Sequence, residues 1–286
     1  MKRLAKPLID FGSIYDACAN EICDSAFAGK VTAARAEVLT EFAKYDSYAE
    51  THSLYSFTCG AHGKKHQMVL GGLTKSEFLK LYNDHLRNST KPPRKYYDKL
   101  RAGAELGQCP LCGFGQVSTL DHFLPKSLYP AFSILPLNLV PACKDCNKEK
   151  VAAALTNLNQ VLHPYFEDAT VEADTWLFAE IVQTAPPTVR YYAQTPVPWG
   201  ADLKQRVNNH FNEFRLAHRF AVEAANALPV LAYHLEGLPD LCSRTAHLLQ
   251  AAHSEQRIRR NSWKAALYSA LASSSWYVGG GFRGSA

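Results

Sequence analysis

Apolar residues recur at three- and four-residue steps along "KVTAARAEVLTEFAKY", where Val31, Ala34, Val38, Phe42 and Tyr45 make one stripe, and that period predicts an amphipathic helix. "TKSEFLKLYNDHLRN" opens with Thr74 and Glu77 at capping-box spacing, which satisfies the first N–H groups of a helix. In "PPRKYYDKLRAGAE", Pro93 suits a first helical turn and Tyr97 and Leu100 are available to pack. The first hundred residues therefore read as helices. "VSTLDHF" and "NLVPAC" read instead as two short strands around a proline-interrupted loop, and "KDCNKEKVAAAL" follows with good helix formers and no breaker. Downstream, "DTWLFAEIVQT" and "TVRYYAQT" are rich in β-branched and aromatic residues and predict a strand pair. "TPVPWGAD" breaks the chain before a long helix with the stripe Leu203, Val207, Phe211, Phe214, Ala221 and Ala225. A final helical stretch is expected between about Asp240 and about Leu271, and the glycine-rich "VGGGFRGSA" is expected to be mobile.

No fixed-period repeat or low-complexity block interrupts this order. The fold class expected is α+β, mainly helical, with a small β-containing centre (106–165) between a helical N-terminal region (1–105) and a C-terminal region (166–286) of short strands and long helices. The 286 residues are 47% hydrophobic and 20% charged, a globular balance that excludes disorder and fibrous repeats. The basic start is broken by Lys6, Pro7 and Asp10 before any apolar run suits a signal peptide, and no segment is apolar for long enough to span a bilayer. A cytoplasmic location without membrane association is the expectation.

In a reducing compartment, the eight cysteines are expected to be mostly reduced. The pairs Cys109/Cys112 and Cys143/Cys146 have metal-knuckle spacing, whereas Cys18, Cys23, Cys59 and Cys242 read as small hydrophobes. Two separate pairs without a thioredoxin-like surround disfavour a redox dithiol. Four thiolates complete a tetrahedron around zinc, leaving no open position, so the ion is expected to be structural. Net charge is only +5, but nine basic residues face five acidic ones between 91 and 150, a bias that can steer a polyanion.

Between the knuckles lie Asp121, His122 and Asn138, and Asn147 follows the last cysteine. The succession C-P-L-C, L-D-H-F-L-P-K and N-L-V-P-A-C-K-D-C-N-K-E-K resembles the HNH endonuclease family, across roughly Cys109 to Leu155. The resemblance implies a ββα-metal unit clamped by zinc. It places the catalytic histidine on His122, the adjoining metal-binding acid on Asp121, the middle Asn on Asn138 and the last position, often His, on Asn147. An Asn carbonyl is a hard ligand that favours Mg²⁺ or Mn²⁺. The implied activity is metal-dependent hydrolysis of DNA to 5′-phosphate and 3′-hydroxyl ends. By analogy with bacterial anti-phage nucleases, a defence role and an ATPase partner come into view; the rival is a zinc-stabilised nucleic-acid-binding or scaffold protein with a silent site.

Lys126, Arg94, Lys95, Lys99, Arg101 and Lys148 are candidate nucleic-acid contacts, with Tyr96 and Tyr97 interleaved among the basic residues. Cys59, His62 and His66 lack a fourth ligand and read as a polar loop. His163, His210 and His218 read as framework residues, His218 near the apolar stripe.

Overall fold

A computed structural model describes residues 1–285, and the chain divides into two compact units. The first runs from Lys2 to Glu167; the second begins at Asp168 and also takes in Met1. Secondary structure is α+β and mainly helical, with small two-stranded antiparallel sheets.

In the first unit, α1 (Phe11–Ala19) and α2 (Ser25–Glu50) start at Asp10 and Asp24, whose carboxylates accept from first-turn N–H groups. All five stripe residues of α2 are buried, as the periodicity requires. The first hundred residues are not wholly helical, however: β1 (Met68–Leu70) and β2 (Leu73–Thr74) form a hairpin. Gly71 and Gly72 join them at φ 58° and 75°, the left-handed pair that a tight hairpin turn demands. A Cβ at Gly71 would come within 2.6 Å of the Ala34 Cβ, so this turn also needs glycine for its close approach to α2.

Thr74 and Glu77 form the expected capping box at the head of α3 (Lys75–Lys80), which continues as a π-helical segment over Leu81–Leu86. α4 (Arg94–Ala102) follows Pro93 and buries Tyr97 and Leu100. The central strands are β3 (Thr119–His122) and β4 (Leu139–Ala142), paired antiparallel from Thr119↔Ala142 to His122↔Leu139. Both pack on α4, and β3 also packs on α5 (Lys144–Glu149). α5 is shorter than expected. Lys150 turns to extended backbone, and its ammonium bonds back to the end of β3, a tertiary tie that propensity along 144–155 does not register.

In the second unit, α6 (Thr170–Ala173) precedes the expected strand pair, β5 (Leu177–Val182) and β6 (Thr188–Ala193). The long helix expected next is two, α7 (Ala201–Glu213) and α8 (Leu216–Glu236), because Arg215 adopts φ 49° between them. The break rephases the stripe: Phe220 and Ala224 are buried in α8, not Ala221 and Ala225. The last stretch also divides, into α9 (Leu241–Arg259) and α10 (Trp263–Ser273). At the junction, buried Asn261 accepts from the Trp176 and Leu177 N–H groups and donates to the Val171 and Asp174 carbonyls. Within the described part of the glycine-rich tail, after α11 (Ser275–Val278), Phe282 is fully buried beneath the Arg244 guanidinium and beside Tyr277. A large ring gains more from burial than the glycines around it lose in entropy.

Candidate active site

Cys109, Cys112, Cys143 and Cys146 are all buried, and their sulfurs lie within 4.8 Å of one another. The Cys112 and Cys143 sulfurs are 3.9 Å apart, close to the edge of about 3.8 Å that a zinc–sulfur distance of about 2.3 Å gives a tetrahedron. Backbone N–H groups support the sulfurs: Gly115 donates to Cys112 at 3.3 Å and Cys146 to Cys143 at 3.4 Å. A Cβ on Gly115 would lie 2.8 Å from the Cys143 sulfur, so glycine there lets the two knuckles meet. The cluster fits a metal ion such as zinc, and it is the one group of metal-ligating side chains of this kind among the described residues. Cys18 is buried, whereas Cys23, Cys59 and Cys242 are exposed, as are His62 and His66.

Strand alternation separates Asp121 from His122. The His122 ring meets Tyr82 of the π-helical segment edge-on, with centroids 4.5 Å apart, and its Nε2 lies 2.9 Å from the Ser133 carbonyl. A carbonyl only accepts, so Nε2 carries the proton in the neutral ring and Nδ1 keeps the lone pair. Burial, then the Lys126 charge, pushes the imidazole down to about 3, against the opposing Ser133 hydrogen bond. Asp121 turns toward Lys150, whose ammonium lies 2.7 Å from Asp121 Oδ2, 2.7 Å from the His122 carbonyl and 2.8 Å from that of Phe123. Three oxygens thus converge on one cation.

Asn138 is fully buried and holds the loop between the strands. Its Oδ1 accepts from Leu124 N–H at 2.7 Å and from the Tyr45 hydroxyl at 3.1 Å, while Nδ2 donates to the Leu124 and Phe132 carbonyls. Because Phe132 precedes Ser133, the same amide fixes the loop that anchors the His122 ring. Asn147 lies exposed on α5, and no hydrogen bond joins its amide to Asp121 or His122 among the described residues.

Lys126 is near this cluster, 4.1 Å from the centre of the Tyr82 ring and 3.0 Å from Asn83 Oδ1. Burial, then Arg87, lowers its ammonium to about 8. The other basic candidates are more occupied: Arg94 and Arg101 pair with Asp98, Lys99 donates to the Leu8 carbonyl, and Lys95 lies over Tyr96. Lys148 is exposed on α5. His163 is buried, stacked on Phe123 at 4.0 Å and 3.3 Å from the Tyr45 hydroxyl. His210 is buried in α7, whereas His218 is exposed and lies off the stripe. Tyr45, Tyr82 and Lys150 went unrecognised as site neighbours in the sequence. Lys150 alone had a local signal, its place three residues after Asn147.

Fold and site together define an α+β protein whose short hairpin and helix are gathered by a four-cysteine cluster. Over 253 residues the chain is 31% identical to protein ea31 of Escherichia phage lambda, an alignment covering 83% of this chain and 82% of that protein. The chain belongs to the family of protein ea31. No family model and no solved structure matches it. Among the described residues, no helix is long and apolar enough to cross a membrane.

Proposed function

We propose that this protein is a metal-dependent nuclease of the HNH type, hydrolysing phosphodiester bonds in DNA to 5′-phosphate and 3′-hydroxyl ends. The observation that carries the reading is the His122 ring, held neutral by the Ser133 carbonyl on a hairpin that packs on α5, the helix that Cys143 caps and Cys146 sits in. Its Nδ1 lone pair would take the proton of an attacking water, although the burial that holds the ring neutral, at about 3, also makes it a weak base. Asn138 acts on the ring through the loop it fixes. The Asp121 carboxylate and the two carbonyls around Lys150 form a hard-oxygen environment that fits a hard cation. Asp121 and Asn147 would hold Mg²⁺ or Mn²⁺, and that ion, when bound, neutralises charge on the phosphate and the leaving oxygen. The four cysteines hold structural zinc, and Lys126 supplies a phosphate contact.

The second reading, a zinc-stabilised binding protein with a silent site, is favoured by Lys150, whose ammonium already neutralises Asp121, and by exposed Asn147. A host-defence role and an ATPase partner for this nuclease rest on analogy with bacterial anti-phage nucleases alone. A cleavage assay on supercoiled, linear and single-stranded DNA with Mg²⁺, Mn²⁺ or chelator decides between the readings. Metal-dependent cutting that falls at least about a hundredfold in His122→Ala, with zinc content unchanged, supports the nuclease; undiminished cutting by that variant, or none by the wild type, removes it.

A further inference from the structure

Away from the cysteine cluster, a cavity of about 430 Å³ opens in the first unit between α2, the chain around Phe57 to Gly60, β1 and the loop 128–132. None of Asp121, His122, Asn138 or Asn147 lines it. Lys75, at the head of α3, does, and it is only 5% exposed. Its ammonium donates to the Ala61 carbonyl at 3.0 Å, and no carboxylate lies within ion-pair distance of it among the described residues. One protein acceptor meets this ammonium, which leaves its two other N–H donors for whatever occupies the cavity. The cavity's other charges, Lys44 and Glu41, pair with each other at 3.0 Å, so among the described residues Lys75 is the cavity's cation without a protein counter-charge.

A second observation concerns the opposite chemistry in the same cavity. Half-buried Tyr48 and Phe57 line it with ring centroids 4.9 Å apart, and Phe57 meets Phe132 at 4.7 Å. They make an aromatic ledge on which a flat ring can stack. A cavity of this volume is within the range of small-ligand sites. Mononucleotides carry both a flat heteroaromatic ring and an anion within one small molecule.

We propose that this cavity binds a nucleoside monophosphate, its base on the Tyr48–Phe57 ledge and its phosphate on Lys75. The site is independent of the nuclease reading, although its wall at Phe132 adjoins Ser133, whose carbonyl holds His122.

Isothermal titration of the purified full chain with 5′-AMP and 5′-GMP tests it, with adenosine and inorganic phosphate as half-ligand probes. Saturable binding of a mononucleotide at one per chain is expected, at least tenfold tighter than either half. Lys75→Met and Phe57→Ala should each weaken it at least tenfold, while Lys126→Ala, in the separate His122 cluster, should leave it unchanged. Thermal melts establish that each variant is folded; should Lys75→Met fail to fold, Phe57→Ala and Tyr48→Ala carry the test. The proposal is overturned by absence of saturable mononucleotide binding, by binding that survives the cavity substitutions, by inorganic phosphate binding as tightly as the nucleotides, or by loss of binding in Lys126→Ala.

Discussion

A single buried amide connects much of the candidate site. Asn138 makes four side-chain hydrogen bonds, to Leu124 N–H and C=O, the Phe132 carbonyl and the Tyr45 hydroxyl. Replacing it by alanine leaves these groups buried without the amide, which costs far more than the net worth of one hydrogen bond. Asn138→Ala is expected to lose about 3 kcal/mol or more in chemical denaturation. Asp cannot replace Asn here, since it lacks the two N–H donors. The sequence showed Asn138 as an isolated polar residue in an apolar run, and its place in a resembling motif marked it. Its partner Tyr45 was legible only as a core position of α2, because a contact across 93 residues leaves no periodic trace.

Among the elements, the hairpin β3–β4 and α5 are too short to be stable alone. Two-stranded ribbons are marginal in water, and six residues fall well below the length of an independently stable helix. The four-cysteine cluster joins the start of α5 to the 109–115 turn, so a bound ion would stabilise the unit by its own binding energy. Purified protein is expected to carry one zinc per chain by elemental analysis, and Cys146→Ser or strong chelation should release it and lower the melting temperature of the first unit. A metal-free wild type with unchanged melting would contradict this. Both strands were legible, β3 from the alternation in "VSTLDHF" and β4 as the short apolar run "NLVPAC". The end of α5 was not, because Lys150 leaves the helix to satisfy oxygens contributed by β3. Likewise, the breaks at Arg215 and Asn261 arise from a left-handed backbone and from a buried amide bonded to a distant strand, neither of which changes local helix propensity.

For the whole molecule, buried imidazoles link stability to acid. Burial pushes both His122, to about 3, and His163, well below its usual value, toward the neutral form, and nearby lysines add to the effect. The unfolded chain protonates these rings near pH 6.5, so above that pH both states are neutral and no stability is lost. As pH falls below about 6.5 the unfolded state takes up protons that the folded state refuses, and stability declines toward the folded values. Denaturation midpoints measured between pH 7.5 and 5 should therefore fall, and His163→Phe should flatten the slope if it folds; an equally steep slope would assign the acid sensitivity elsewhere.

By itself the sequence determined the α2 stripe, the strand pairs β3–β4 and β5–β6 and the four-sulfur cluster, because these depend on spacing along the chain and on the chemistry of each residue. Tertiary structure decided which way Asp121 and His122 face, where Lys150 binds, how Asn138 is enclosed, and that a buried Lys75 borders an aromatic cavity. Those outcomes depend on which distant groups share a volume from which water is excluded, and that cost is set by the packed fold rather than by neighbours in the chain.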